Sequence, residues 1–232
     1  MALHHSPRIV TNGLVLCLDA GSRKSYGGTG NVWRDLAGYN NGTLTNGPTF
    51  SSANGGSIVF DGSNDYVNCG NNSSLNLGAM TIAVWFKPST DVSGYRAIIM
   101  DESVNTGAPW NYRIYLNINT GTVVYDLYGD SGYSGLVSTY AINDNKWHYV
   151  CGTRTAVNGT IRLYIDGLLN NIGTDSSNVS ALGAAVWLGQ SPLFNGSYPF
   201  IGNIAQTQIY NRALTPAEIQ QNYNATKGRY KL

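Results

Sequence analysis

The chain has two glutamates, Glu102 and Glu218, among thirteen acids in 232 residues. Cleaving a glycosidic bond takes two carboxyl groups about 5–9.5 Å apart, one of them protonated. No two acids stand at i and i+2 on any stretch that reads as a strand. Asp126 and Asp130 lie four apart, about 13 Å along an extended chain, which is too far for either hydrolytic geometry. Glu218 closes the run Thr215-Pro216-Ala217-Glu218, where it completes a helix capping box. His148 lies between Trp147 and Tyr149 in "KWHYV" with no nucleophile-elbow sequence to serve, so a packed or surface imidazole is expected. His4 and His5 fall in the first nine residues, which read as a loose arm. The expectation is a protein that is not an enzyme. A carboxyl pair assembled across strands is the arrangement that would overturn it.

Aromatic side chains offer a different chemistry. Trp110 and Tyr112, Tyr128 and Tyr133 flanking Asp130, and Phe194 with Tyr198 occur in Gly/Asn/Ser-rich segments. Flat aromatic faces suit the C–H surfaces of sugars, and neighbouring amides and carboxylates can receive hydroxyls. The same composition fits a protein interface or plain sandwich packing, and both readings stay open beside glycan binding.

The remaining composition narrows the classes. Charged residues make up 12% and the net charge is +1. The Lys and Arg read as scattered singly, which argues against a phosphate-tracking groove, hence against nucleic acid or an anionic membrane as partner. No apolar run approaches the roughly 20 residues that span a bilayer. The start, "MALHHSPRIV", shows no basic region followed by an apolar one, so no signal peptide is evident. Cys17, Cys69 and Cys151 are odd in number and lie in strand-like apolar contexts. Buried free thiols and folding in a reducing cytoplasm are therefore expected.

Strand signals recur every ten to fifteen residues with turn chemistry between them. "GLVLCLD" (13–19), "SIVFDG" (57–62), "YVNC" (66–69), "YRAIIM" (95–100), "KWHYVCGTR" (146–154), "TIRLYIDG" (160–167), "AVWLGQ" (185–190) and "IAQTQIYN" (204–211) all read as strands. Asp61-Gly62-Ser63-Asn64-Asp65 reads as a hairpin-like turn. "MTIAVWFKP" (80–88) is almost wholly apolar and predicts a central strand buried on both faces. In "NYRIYLNINTGTVVYDLYG" (111–129) Tyr112, Ile114 and Leu116 share one face, while Tyr115, Asn117 and Asn119 share the other. The stretch from Ala20 to Ser57 reads as loops and short strands wrapping one edge. One short helix from Thr215, with Ile219 and Tyr223 on one face, is expected to cover a strand edge. The fold expected is an all-β, two-sheet antiparallel jelly-roll sandwich with one short C-terminal helix, organised as an arm (1–9) and a single domain (10–232).

Taken together, "FDGSNDYV" (60–67), "MTIAVWFKP" (80–88), "KWHYV" (146–150), "LYIDG" (163–167) and "GNIAQTQIYNRALTPAEI" (202–219) resemble the laminin-G-like jelly rolls of the concanavalin A-like lectin and glucanase superfamily. The resemblance implies two antiparallel sheets with a concave face, in a family of lectins, carbohydrate-binding modules, adhesion domains and some glycosidases. It also implies calcium held by loop carboxylates, for which Asp19, Asp61 and Asp65 are the candidates. Asx turns around Gly62 are the competing role for Asp61 and Asp65. The final strand carries Ala205-Gln206 where the family often has an acidic pair, which puts a metal site there in doubt. A narrower resemblance, over residues 9–67, is to stand-alone versions among virion proteins of tailed phages, particularly those of marine hosts. It implies a non-catalytic virion-surface protein, a capsid decoration or fibre component, made in the host cytoplasm. Its implied partners are other virion proteins and host-surface glycans, with self-association compatible. The alternative is a calcium-assisted carbohydrate-binding module or lectin acting alone.

Overall fold

The computed structural model describes residues 7–90, 94–102, 110–129, 132–156, 158–177, 184–191 and 198–231. The Gly/Asn-rich opening of the chain supplies short strands: β1 (Leu14–Asp19), β2 (Val32–Trp33), β3 (Gly42–Thr45) and β4 (Thr49–Ser51). Next come β5 (Ser57–Asp61), β6 (Tyr66–Asn68) and the apolar β7 (Met80–Pro88). Alternating stretches form β8 (Tyr95–Glu102), β9 (Trp110–Asn117), β10 (Thr122–Gly129) and β11 (Gly132–Val137). β12 (His148–Arg154), β13 (Thr160–Ile165), β14 (Leu168–Thr174), β15 (Ala185–Leu188), β16 (Ile201–Tyr210) and α1 (Pro216–Thr226) follow.

All pairings are antiparallel and build two sheets. The first runs β14-β13-β12-β7-β16-β5-β4, and the second runs β11-β10-β9-β8-β15-β6-β3-β2. β16 is long enough to serve two partners on one side, β5 along Ile201–Ile204 and β1 along Gln206–Tyr210. Period-2 alternation sends one set of side chains from each sheet inward. Ile82, Val84 and Phe86 of β7 thus meet Tyr112, Ile114 and Leu116 of β9 and Tyr125 and Leu127 of β10 in one core. This is the two-sheet sandwich with a short C-terminal helix that the sequence predicts.

The expected double burial of β7 is present, and its cause is the C-terminus. Ala83 and Trp85 face away from the core, beside Tyr149 and Cys151 of β12 and Ala205 and Tyr210 of β16. α1 and the 3-10 turn Lys227–Tyr230 lie over them. The Trp85 ring centroid is 4.2 Å from Tyr230 and 5.6 Å from Tyr223, the latter stacked. Its indole N–H donates to Thr226 Oγ1 at 2.8 Å. The helix therefore covers the face of the central strands, not a strand edge. The apolar outer stripe of β7, β12 and β16 is what needed removing from water.

Two other expectations change. The Asp61–Asp65 turn is not a hairpin, because β5 belongs to the first sheet and β6 to the second. Its chemistry is that of an Asx turn, with the Ser63 N–H donating to Asp61 Oδ1 at 2.8 Å. The destination is set by fully buried Val67, which draws β6 against β15 and β3. β14 went unforeseen, since "LLNNIGT" lacks alternation. Its signal was Asp166-Gly167, both at positive φ (51° and 80°), the backbone of a two-residue hairpin turn. Ahead of β1 the chain rests on α1: the Val10 N–H donates to Asn222 Oδ1 at 2.8 Å, and the Arg8 carbonyl accepts from Gln221 at 2.7 Å. The three cysteines are free and buried, and burial pushes the Cys17 and Cys69 thiols up to about 12.

α1 starts on a complete capping box between Thr215 and Glu218, and Arg212 pairs with Glu218 through both Nη atoms at 2.6 and 2.9 Å. The hydrogen bond from Arg212, with those from Thr215, pulls Glu218 down from 4.5 to about 2. A folded value below the unfolded one stabilises the fold above the unfolded pKa, and the contribution is lost as pH falls through the folded one. T215A is expected to cost about 1 kcal/mol at pH 7. E218Q should be less stable than wild type at neutral pH. Urea midpoints should show the two proteins converging as pH drops from 4.5 toward 2.

Candidate functional site on the second sheet

With the outer stripe of β7, β12 and β16 closed by the C-terminal segment, the outer face of the second sheet carries a cluster of polar and aromatic groups. Alternation along β9 puts Arg113 and Tyr115 opposite in direction to the core residues Tyr112, Ile114 and Leu116. Register places Asp126 of β10 directly across from Arg113. The guanidinium spans that pair, with Nε to Oδ1 at 2.7 Å and Nη2 to Oδ2 at 3.0 Å. Its Nη1 also lies 4.0 Å from Glu102 Oε1, while Glu102 accepts from the Ser191 hydroxyl. Such fork-to-carboxylate geometry fixes Arg113 against the sheet.

Three tyrosines gather over this floor. Tyr95 packs edge-on to Tyr115 and to Tyr198, at centroid distances of 5.5 and 5.6 Å. The Arg113 guanidinium carbon sits 4.9 Å from the Tyr115 ring centre, within cation–π reach. Tyr133, half exposed on β11, brings its hydroxyl to Asp126. Gly135, opposite Asp126, makes room, since a Cβ there would meet the Tyr133 hydroxyl at 2.3 Å. Tyr198 has a φ of 77°, a conformation costing a non-glycine residue on the order of 1–3 kcal/mol and typical of functional sites. Its carbonyl is held by the Ala97 N–H at 3.0 Å. The described residues enclose a pocket of about 200 Å³ lined by Tyr95, Ala97, Met100, Arg113, Tyr115, Ser191 and Tyr198.

Two carboxyls, Asp126 and Glu102, lie against Arg113, and Asp101 adjoins Glu102, contrary to the expected dispersal. Asp101 and Glu102 end β8, and both are buried, as is Asp126. Burial pushes Asp101 up to about 7, against the pull of a 2.7 Å hydrogen bond donated by Asn111. Burial also lifts Asp126 above the usual carboxylate range, outweighing Arg113. Each acid is engaged by a neighbour, and none of them is among the described residues that line the pocket. The arrangement holds an arginine and orients hydroxyls.

The sequence candidates scatter. Tyr198 lines the pocket and Tyr133 flanks it. Tyr128 pairs with Tyr133 across β10 and β11, half-buried. Trp110 opens β9, and Asp130 and Phe194 lie outside the described residues. Tyr112 is fully buried in the core, so its ring is not at a surface. Tyr95, Arg113, Tyr115 and Asp126 were missed. Alternation in "NYRIYLN" already put Arg113 and Tyr115 on one face; only cross-strand register put Asp126 against them.

The calcium candidates do not form one ligand set. Both Asp19 oxygens take the Arg229 guanidinium at 2.8 and 2.9 Å, and Gln206 adds a 3.2 Å bond. Asp61 and Asp65 sit in their own turn, where Asp65 accepts from the Asp61 N–H at 3.0 Å. Among the described residues no three acidic, His or Cys side chains group to hold a metal. These residues therefore do not fit calcium, and Asp19 instead anchors the C-terminal turn. His148 bonds Asp166 at 2.9 Å and Asp144 at 3.0 Å. Burial lowers its pKa, but those two carboxylates outweigh it and hold the imidazole above its ordinary value.

Residues 61–220 match the family model of the Concanavalin A-like lectin/glucanases superfamily. The Sushi, von Willebrand factor type A, EGF and pentraxin domain-containing protein 1 of Rattus norvegicus is 30% identical over 155 residues, 62% of this chain and 4% of that protein. Neuronal pentraxin-1 of Homo sapiens is 26% identical over 61% of this chain and 32% of its own length. Among solved structures, the binding domain of Paraclostridial Mosquitocidal Protein 1 superposes with a TM-score of 0.70 at 18% identity, over 92% of this chain and 52% of that one. The receptor binding domain of botulinum neurotoxin D gives 0.69 at 18% identity, over 91% and 52%. The chain thus spans about half of these structures and a third or less of these relatives, and the structural likeness is one of fold.

Removing one partner of a buried ion pair strands the other charge. D126N is expected to destabilise by about 3–5 kcal/mol. The double variant R113M/D126L should cost clearly less than D126N alone. Urea unfolding of the three proteins checks the order.

Proposed function

The chain belongs to the Concanavalin A-like lectin/glucanases superfamily, and from that premise we propose that it is a non-catalytic glycan-binding domain. The site is the pocket of Tyr95, Tyr115 and Tyr198 over Arg113, flanked by Tyr133. The observation that carries this reading is the pairing of ring faces with fixed polar groups in one pocket of about 200 Å³. The rings offer apolar faces to sugar C–H surfaces. Arg113 donates, and the tyrosine and Ser191 hydroxyls donate or accept. The volume suits one ring at a time, below the usual span of about 300–1,000 Å³ for ligand pockets. Hydrolysis is disfavoured because the acids under the floor are committed to neighbours rather than presented to a substrate. The lectins in the superfamily's description and the binding domains among the similar structures support binding only by fold-level analogy.

We further place this domain on the particle of a tailed phage, as capsid decoration or fibre component bound to other virion proteins. The resemblance of residues 9–67 supports this placement, and three buried free thiols fit synthesis in a reducing host cytoplasm. Mass spectrometry of purified particles is expected to find the protein at stoichiometric copy number. Its absence from particles would remove the virion placement and leave the glycan reading to stand alone.

On a glycan array the wild-type domain should bind neutral glycans equally with and without chelator. Y95A should weaken that binding roughly tenfold, the worth of one stacked ring, while remaining folded at the assay temperature. Equal binding by Y95A and wild type would reject the site.

A further inference from the structure

At the far end of the second sheet, the loop from Ala20 to Arg34 carries Arg23, Lys24 and Arg34 and no acid. Arg23 and Lys24 adjoin in sequence, and the fold brings Arg34 into the pocket of Arg23. The Arg34 N–H donates to the Ser25 carbonyl at 2.7 Å, and the Ser25 hydroxyl donates back to the Arg34 carbonyl. The Tyr26 N–H closes on Ser22 at 2.8 Å, and its hydroxyl donates to the Gly30 carbonyl at 2.7 Å. Arg23 and Arg34 thereby line one pocket of about 280 Å³, with Ser25, Gly27, Thr29 and Asn31 among its walls. A second pocket, of about 250 Å³, shares Arg23 and Gly27 and is walled by Phe50 and Gly28.

Among the described residues, neither the Arg23 nor the Arg34 side chain makes an ion pair or hydrogen bond. The two nearest acids in sequence are committed elsewhere. Asp19 pairs with Arg229. Asp35 accepts four backbone N–H groups, from Cys17, Ala37, Tyr39 and Asn40. In the tyrosine pocket, by contrast, carboxylates already compensate Arg113. Two uncompensated forks over an exposed glycine backbone are a fit for an oxyanion.

We propose that Arg23 and Arg34 form a second subsite, which takes a sulfate ester or carboxylate carried on a saccharide whose ring lies toward Phe50. The oxyanion recognition stands on the arginines; the saccharide carrier rests on the glycan reading above. Gly27 marks the junction of the two pockets. A Cβ built on it meets no atom within 4 Å, and its φ is outside the left-handed range. G27V therefore adds bulk to the wall shared by the two pockets without a clash at Cβ and without altering charge.

The test is affinity electrophoresis of the full chain in gels containing dextran, dextran sulfate or carboxymethyl-dextran. Dextran sulfate or carboxymethyl-dextran should retard the wild type, and whichever does so names the anion; neutral dextran should not match it. R23Q, R34Q and G27V should each weaken retardation roughly tenfold, and R162Q, on β13, by no more than roughly twofold. Melting temperatures should be unchanged, since neither loop guanidinium holds a protein partner. Y95A should leave the retardation intact, so loss of the tyrosine site and loss of this subsite are read separately. Equal effects of R162Q and R23Q, or full retardation of G27V, would reduce the attraction to general charge and overturn the proposal. So would retardation by neither charged polymer.

Discussion

Trp85 and the outer stripe around it set the terms for the rest of the molecule. A strand apolar on both faces, such as β7, can sit in the middle of a sheet only if something other than the opposite sheet covers its second face. Here the C-terminal segment does so, with Tyr223, Thr226 and Tyr230 closing over Trp85. That cover consumes the outer face of the central strands β7, β12 and β16 of the first sheet. The second sheet is left as the open one, and alternation then decides which of its residues meet solvent.

On that open face, polar groups are arranged so that each charge has a partner close by. Arg113 lies in the low-dielectric floor of the pocket, and its cost is offset by Asp126 directly across the ladder and Glu102 alongside. The buried acids Asp126 and Glu102 are there to hold a base and to orient hydroxyls. The Arg23 and Arg34 corner is the opposite case. Its nearby carboxylates are used up in backbone and C-terminal contacts, so its positive charge faces outward. One protein therefore presents a charge-compensated aromatic pocket and an uncompensated basic one.

Asp19 shows how a fold shared across a superfamily can carry different local chemistry. The residue sits at the end of β1 opposite Gln206, where the resemblance pointed toward a cation. An arginine from the last turn supplies the positive charge instead. The same electrostatic demand is met from within the chain, and it ties the C-terminus to the first strand.

Much of the architecture was legible from residue order alone, because the physics behind it is local. Alternation placed Tyr112, Ile114 and Leu116 inside and Tyr115 outside; Thr215 and Glu218 announced the helix; isolated apolar contexts announced buried thiols. Those signals depend on backbone period, turn geometry and capping, which need no knowledge of distant partners. Register, sheet membership and charge pairing were decided only in three dimensions. Nothing in the order of residues puts Asp126 across from Arg113, sends β6 to the second sheet, lays α1 over a face, or turns Asp19 toward Arg229. The Arg113–Asp126 pair depends on the register of one hairpin, thirteen residues apart; the others join segments far apart in sequence, and their contact energies exist only once both sheets have closed.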